Sequence, residues 1–92
     1  MPYGGAVVTR DEVLAVLQGA VATVLEVPPG SVTPELHFVR DLEADSLAIV
    51  EIVEILEEEL TVRARPGFVI DDADLDGLLT VGDAVDYAVA RL

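Results

Sequence analysis

The sequence predicts an all-α fold: a four-helix bundle of three longer helices and one short helix, with a long loop between the first two helices. Three observations predict it. Apolar residues recur at three- and four-residue spacing in three separate stretches, each opened by a residue able to cap a helix. Hydrophobic residues make up 52% of the chain but aromatics only 4%, so the interior must be built from Val, Leu, Ile and Ala rather than from large rings. At 92 residues the chain fits one domain that can fold alone with little margin, and a deep private active site is not expected of it.

Residues 1–8 read as a flexible N-terminus and residues 9–92 as the folded domain. Met1 to Ala6 has neither the basic flank nor the apolar core of a signal peptide. The one long apolar stretch, Val13 to Leu25, is interrupted by Gln18, Gly19 and Thr23, so membrane insertion is not expected and a cytoplasmic location is. Thr9 opens a capping box with Glu12. Val13, Leu14, Leu17, Val21, Val24 and Leu25 then follow at helical spacing, placing a first helix from about Arg10 to Glu26. Val27-Pro28-Pro29-Gly30 stops it. Ser31 to Ala44 is irregular, with Pro34 and three apolar anchors in Leu36, Phe38 and Leu42, and reads as a long connection pinned to the core.

Asp45 caps a second helix from Ser46 to about Leu60. Ile49, Val53, Leu56 and Leu60 line one side of it, while Glu51, Glu54 and Glu58 line the other and Leu47 falls on the acidic side. Val62 to Ile70, with Pro66-Gly67, reads as a loop, followed by an acidic turn from Asp71 to Asp76 and one short helix ending near Leu79. Thr80 caps the last helix with Asp83 in the third position, and Val81, Ala84, Val85, Ala88, Val89 and Leu92 form its apolar stripe. No repeat or internal domain boundary is visible.

Charge narrows the function. Eighteen Asp and Glu against five Arg and no Lys give a formal net charge of -13, a self-repulsion that salt or divalent cations should ease. Nucleic acids and anionic membranes are excluded as partners, because binding them requires clustered Lys and Arg. Basic protein surfaces are the natural partners of an expected monomer. With no Cys there is no disulfide, thiolate metal site or cysteine nucleophile, so any thiol chemistry must arrive with a cofactor.

Ser46 is the residue of chemical interest. A serine in the first turn of a helix sits where unpaired N–H groups and the positive end of the dipole favour a negative group, so a phosphodiester on its hydroxyl would be well placed. Self-catalysis is not supported: its neighbours are Asp45 and Leu47, the chain has no Lys, and the single His37 lies in the preceding loop. Another enzyme must therefore modify it. Glu51, Glu54 and Glu58 are like charges at three- and four-residue spacing with no basic residue among them, at a cost of roughly 0.2–0.5 kcal/mol per adjacent pair. With Leu47 and Ile55 leaving apolar surface beside them, these acids read as a docking face for basic, partly apolar partners.

The run Phe38-Val39-Arg40-Asp41-Leu42-Glu43-Ala44-Asp45-Ser46-Leu47, with Val50-Glu51 and Leu56-Glu57-Glu58-Glu59, resembles the signature of acyl carrier proteins. Thr80-Val81-Gly82-Asp83 with Asp86-Tyr87 resembles the start of that family's last helix. The resemblance implies a carrier and not an enzyme. Ser46 would receive 4′-phosphopantetheine covalently from coenzyme A through a separate phosphopantetheinyl transferase that uses magnesium, and the arm's thiol would hold acyl groups as thioesters. It implies an acyl-loading enzyme, either an acyltransferase or an acyl-activating ligase, and synthase or condensation enzymes as further partners. The family's recognition helix corresponds to the surface of Asp45, Leu47, Glu51, Glu54, Ile55 and Glu58, and its aliphatic interior can shelter an acyl chain. Two departures stand out: Ala48 where an acid is common in fatty-acid-synthesis carriers, and Glu43 where a glycine is usual. The segment from Thr61 to Ile70 is also longer than usual and carries Arg63 and Arg65, either to pair with the chain's own acids or to make a pathway-specific contact. These favour a polyketide or lipopeptide pathway over primary fatty acid synthesis.

The alternative from another class is calcium binding, since Asp72-Ala73-Asp74-Leu75-Asp76-Gly77 matches the opening of an EF-hand loop with Asp83 at its twelfth position. Against it stand the poor entering helix around Pro66-Gly67 and the short Asp in place of the usual Glu, and no metal ligand is assigned. A serine hydrolase is disfavoured because Ala44-Asp45-Ser46-Leu47-Ala48 lacks the glycines of a nucleophile elbow. A peptidyl carrier shares the attachment chemistry, but the Asp before the serine and the acidic helix fit the acyl type better.

Overall fold

The computed structural model describes residues 8–92, so the expected flexible tail lies almost wholly outside the described residues; Val8, at its end, packs half-buried against the core. Three α-helices, α1 (Arg10–Leu25), α2 (Ser46–Arg63) and α3 (Val81–Arg91), are joined by segments that carry short 3-10 helices at Pro29–Ser31 and Asp72–Gly77. The second of these is the short fourth helix, and it forms from the acidic run itself instead of after it. Among the described residues no helix is long and apolar enough to cross a membrane.

α1 is the central element and packs against both α2 and α3. Thr9 and Glu12 form the anticipated capping box, each side chain meeting the other's backbone N–H. Val13, Leu17, Ala20 and Val21 bury one face, and Glu26 ends the helix in the left-handed conformation at φ 58°. Gln18, which interrupts the apolar stretch, donates from Nε2 to the Val32 carbonyl at 2.8 Å and so fastens the start of the long connection to α1.

That connection is pinned by more than its apolar anchors. Phe38 is buried, while Leu36 and Leu42 are half-buried; Val32 and Ala44 are also buried. Its backbone bonds to the start of α3: Phe38 N–H donates to the Leu79 carbonyl at 3.0 Å, Val81 N–H to Leu36 at 2.9 Å and Gly82 N–H to Pro34 at 2.8 Å. A Cβ on Gly82 would lie 3.1 Å from the Pro34 oxygen, so glycine permits this close approach.

In α2 the buried residues are Ile52, Leu56 and Leu60, with Ile49 and Val53 half-buried beside them. Each fully buried Leu or Ile contributes on the order of 1.5–3 kcal/mol. The helix runs to Arg63, three residues past the expected end at Leu60. Arg63 Nε donates to Glu59 Oε1 at 3.0 Å one turn back, and a basic residue in the last turn suits the helix dipole. The loop therefore begins after Arg63 instead of at Val62. It turns tightly at Pro66-Gly67, where Gly67 has φ 74° and Phe68 N–H donates to the Arg65 carbonyl at 3.2 Å. Phe68 and Ile70 are buried, and Ile70 N–H donates to Glu57 Oε2 at 2.8 Å.

α3 opens with the anticipated Thr80–Asp83 capping box and buries Val81, Ala84, Val85 and Ala88. Val89 and Leu92, expected in the stripe, are instead 38% and 39% exposed, because Val89 stands one residue past the core-facing Ala88 and Leu92 lies beyond the last helical residue. Asp74 accepts from Tyr87 Oη at 2.6 Å and from Arg91 Nη2 at 3.2 Å, while the Arg91 guanidinium stacks 4.3 Å over the Tyr87 ring. Burial first, and then the bond to Asp74, raise the Tyr87 phenol above its ordinary value. Arg10 pairs with Asp86, joining the start of α1 to α3.

Glu43 has φ 56°, so the position where the family resemblance expects glycine is a left-handed one. A longer side chain is strained there by roughly 1–2 kcal/mol. We expect Glu43→Gly to stabilise the domain by about 0.5–1 kcal/mol and to raise the thermal midpoint by a few degrees; a lower midpoint would contradict this.

Candidate functional site

The chain enters α2 through a fixed sequence of local constraints. Ala44 is buried and its N–H donates to the Phe38 carbonyl at 2.9 Å. The left-handed Glu43 reverses the chain, and Asp45, extended at ψ 178°, becomes the N-cap. Its Oδ1 accepts from Ala48 N–H at 2.8 Å and its carbonyl from Ile49 N–H at 3.0 Å.

Ser46 is thereby held as the first helical residue and is exposed. Among the described residues its hydroxyl has no hydrogen-bond partner, and neither do the backbone N–H groups of Ser46 and Leu47. α3 differs: there Val81 and Gly82 N–H donate to the connection and Asp83 N–H to Thr80 Oγ1. The start of α2 thus keeps two donors and the positive dipole end facing solvent beside a free hydroxyl, an arrangement that suits a phosphodiester on Ser46 Oγ.

Among the described residues no side chain hydrogen-bonds the Ser46 hydroxyl, and His37 is engaged elsewhere. His37 Nδ1 accepts from the Val39 and Arg40 N–H groups at 3.1 Å each, and His37 N–H donates to Asp41 Oδ2 at 2.7 Å. The imidazole organises the turn before the helix.

The structure separates the six residues read as a recognition surface. Leu47 is 68% exposed, and Glu51, Glu54 and Glu58 are exposed on the outward face of α2. Asp45 is exposed but its Oδ1 is engaged in the cap. Ile55 is half-buried and turns toward Ala15, Val16 and Ala20 in the groove between α1 and α2, so it does not share the outward face. Val50, 42% exposed, takes its place there; its position one turn after Leu47 was the available signal. Arg63 pairs with Glu59, and Arg65 Nη1 donates to the Arg91 carbonyl at 2.7 Å, so both serve internal contacts.

The geometry does not follow the calcium alternative. Asp72 to Gly77 coil as a 3-10 helix, Asp74 is engaged with Tyr87 and Arg91, and Asp83 Oδ2 accepts from the Leu79 and Thr80 N–H groups. Among the described residues no three acidic, His or Cys side chains converge as a metal site requires.

Facing the core, Leu17, Phe38, Ile49, Ile52, Val53 and Leu78 are among the residues that line an enclosed apolar space of only about 10 Å³, room for one water at most.

The structure thus presents an exposed serine at the start of α2, on a small helical domain whose outer face carries Glu51, Glu54 and Glu58. The family model for the phosphopantetheine attachment site matches residues 15–88. The chain is 41% identical over 80 residues to the meromycolate extension acyl carrier protein of Mycobacterium leprae, covering 87% of this chain and 64% of that protein. It is 42% identical over 80 residues to the acyl carrier protein of Rubrobacter xylanophilus, covering 87% of this chain and 91% of that protein. A solved acyl carrier protein from Enterococcus faecalis superposes with a TM-score of 0.70 at 36% identity, covering 91% of this chain and 99% of that one. The chain belongs to the acyl carrier protein family. The cofactor of that family is phosphopantetheine, and the relatives named above are acyl carrier proteins.

The cap gives a direct check on this geometry. Asp45→Ala should cost about 1 kcal/mol and lower the thermal midpoint by roughly 4–8 °C, while Asp45→Asn should retain most of the stability; calorimetry showing an unchanged midpoint for Asp45→Ala would contradict the assigned cap.

Proposed function

We propose that Ser46 Oγ is the attachment point of 4′-phosphopantetheine and that the chain holds acyl groups as thioesters on that arm for delivery to partner enzymes. The observation that carries this reading is the exposed, unpartnered Ser46 hydroxyl beside two free N–H donors at the start of α2. When bound, the group supplies the thiol that a chain without Cys lacks. The Ser46 and Leu47 N–H groups would face its phosphate, and Asp45 fixes the helix start that aims them. The serine acts as a tether, so a separate transferase must bring the base and the magnesium.

The outward face of α2, with Leu47, Val50, Glu51, Glu54 and Glu58, is the surface we assign to that transferase, to an acyl-loading enzyme and to condensing enzymes. Its charge selects basic partners. An acyl chain would enter the bundle only if Phe38, Ile49 and their neighbours gave way, since the apolar space between them is so small. The similarity to carriers named for meromycolate extension is one support for a specialised acyl-extension pathway, beside equally similar relatives named simply as acyl carrier proteins. The narrower polyketide or lipopeptide reading rests on Ala48, Glu43 and the long segment after α2.

The test is intact-mass spectrometry after incubation with coenzyme A, magnesium and a promiscuous phosphopantetheinyl transferase. We expect the native chain to gain one phosphopantetheine mass and Ser46→Ala to gain none. An unmodified native chain that is folded by circular dichroism, or a modified Ser46→Ala chain, would overturn the assignment.

A further inference from the structure

We propose that Val39, Arg40 and Leu79 form a resting site for the phosphopantetheine arm, holding it along the seam between the long connection and the start of α3 when no partner enzyme draws it away. The proposal rests on Ser46 as the attachment point. Val39 is 55% exposed and Leu79 is 52% exposed, and the backbone sets the two close together. Phe38 N–H donates to the Leu79 carbonyl at 3.0 Å, and His37 pairs with Thr80 in an isolated antiparallel bridge. Their chain neighbours take the inward places: Phe38 is buried, and Leu78 is half-buried at the apolar space in the core. Val39 and Leu79 are therefore an apolar pair held in water by the bonds that fix the seam, and they forgo burial that an apolar ligand would recover. The serine is close by. The Phe38 carbonyl accepts from Ala44 N–H at 2.9 Å, and at most about 7 Å of extended chain separates Ala44 from Ser46.

Charge selects the ligand. Arg40 is exposed and, among the described residues, is the one arginine whose guanidinium has no partner; the others meet Asp86, Glu59, the Arg91 carbonyl and Asp74. The nearby aspartates bond to backbone instead: Asp41 Oδ2 accepts from His37 N–H and Asp45 Oδ1 from Ala48 N–H. In a chain of net charge -13, an unpaired cation next to an apolar pair fits a ligand with one anionic group and methyl-bearing carbon beyond it. The arm has that chemistry, a phosphodiester at the serine followed by a pantoyl unit with geminal methyl groups. Arg40 would add positive charge beside a phosphate that the Ser46 and Leu47 N–H groups face, and the methyl groups would cover Val39 and Leu79. None of the three residues belongs to α2, so its outward face stays open to partners while the arm rests.

The test is NMR on the 13C,15N-labelled full chain loaded with the unlabelled arm, with loading verified by intact mass. We expect isotope-filtered NOEs from the geminal methyls of the arm to the Val39 and Leu79 methyls. Amide shift differences between the loaded and unloaded chain should appear at Phe38 and Thr80 as well as at Ser46. Those at Phe38 and Thr80 should fall at least threefold in Val39→Ser/Leu79→Ser with its thermal midpoint unchanged, and at least by half in Arg40→Gln, while Arg40→Lys keeps most of them. A loaded native chain whose shift differences are confined to Ser46 and Leu47 would overturn the proposal, as would arm NOEs to Leu47 or Val50 in place of Val39 and Leu79. Shift differences at Phe38 and Thr80 that persist in the double variant, or that Arg40→Gln leaves unchanged, would overturn it too. A folded chain that takes up no arm overturns the attachment assignment as well, whereas a loaded chain without these contacts overturns this proposal alone.

Discussion

The structure depends on one seam, the backbone pairing between the long connection after α1 and the start of α3. Three N–H groups, those of Phe38, Val81 and Gly82, find their acceptors across it, each worth about 0.5–1.5 kcal/mol net. Two of them belong to the first turn of α3, whose donors would otherwise lack partners. The seam therefore completes α3 and fixes the connection in one step. It is also why Gly82 has no side chain, since a Cβ would press on the Pro34 oxygen.

From that seam the rest of the site follows. With Phe38 fixed, its carbonyl holds Ala44, Glu43 reverses the chain and Asp45 caps α2. The first two donors of α2 are left unpaired in front of Ser46. The same phosphate-binding potential exists at any helix start, but at α3 the connection uses it up. Electrostatics then divides the labour: four of the five arginines brace the domain through contacts with Asp86, Glu59, the Arg91 carbonyl, Asp74 and Tyr87. The outward face of α2 is left with Glu51, Glu54 and Glu58 around Leu47 and Val50 and no arginine to offset them.

Much of this was legible in the sequence where the signal is local. Capping boxes at Thr9–Glu12 and Thr80–Asp83 and the Asp45 cap set helix starts to the residue, because a cap is a short-range hydrogen bond between residues three apart. The candidate serine was readable for the same reason. Less legible was whatever depends on contacts distant in sequence. α2 continues past Leu60 with the help of the Arg63–Glu59 pair, and Ile52 joins its core face, although the stripe of Ile49, Val53, Leu56 and Leu60 passed it over. Ile55 resembled a surface residue until α1 packed beside it. Gln18 interrupted an apolar pattern, and its role appears only once Val32 is placed against it. The left-handed Glu43 shows how an unusual residue can mark a backbone position without changing it.

The seam can be measured directly by native-state hydrogen exchange on the amides of Phe38, Val81 and Gly82. If it organises the fold, these three exchange with free energies close to those of the buried amides of α1 and α2, since opening them requires global unfolding. Exchange at rates typical of exposed loops, while the α1 and α2 amides stay protected, would contradict it and leave Ser46 on a segment that moves independently of the bundle.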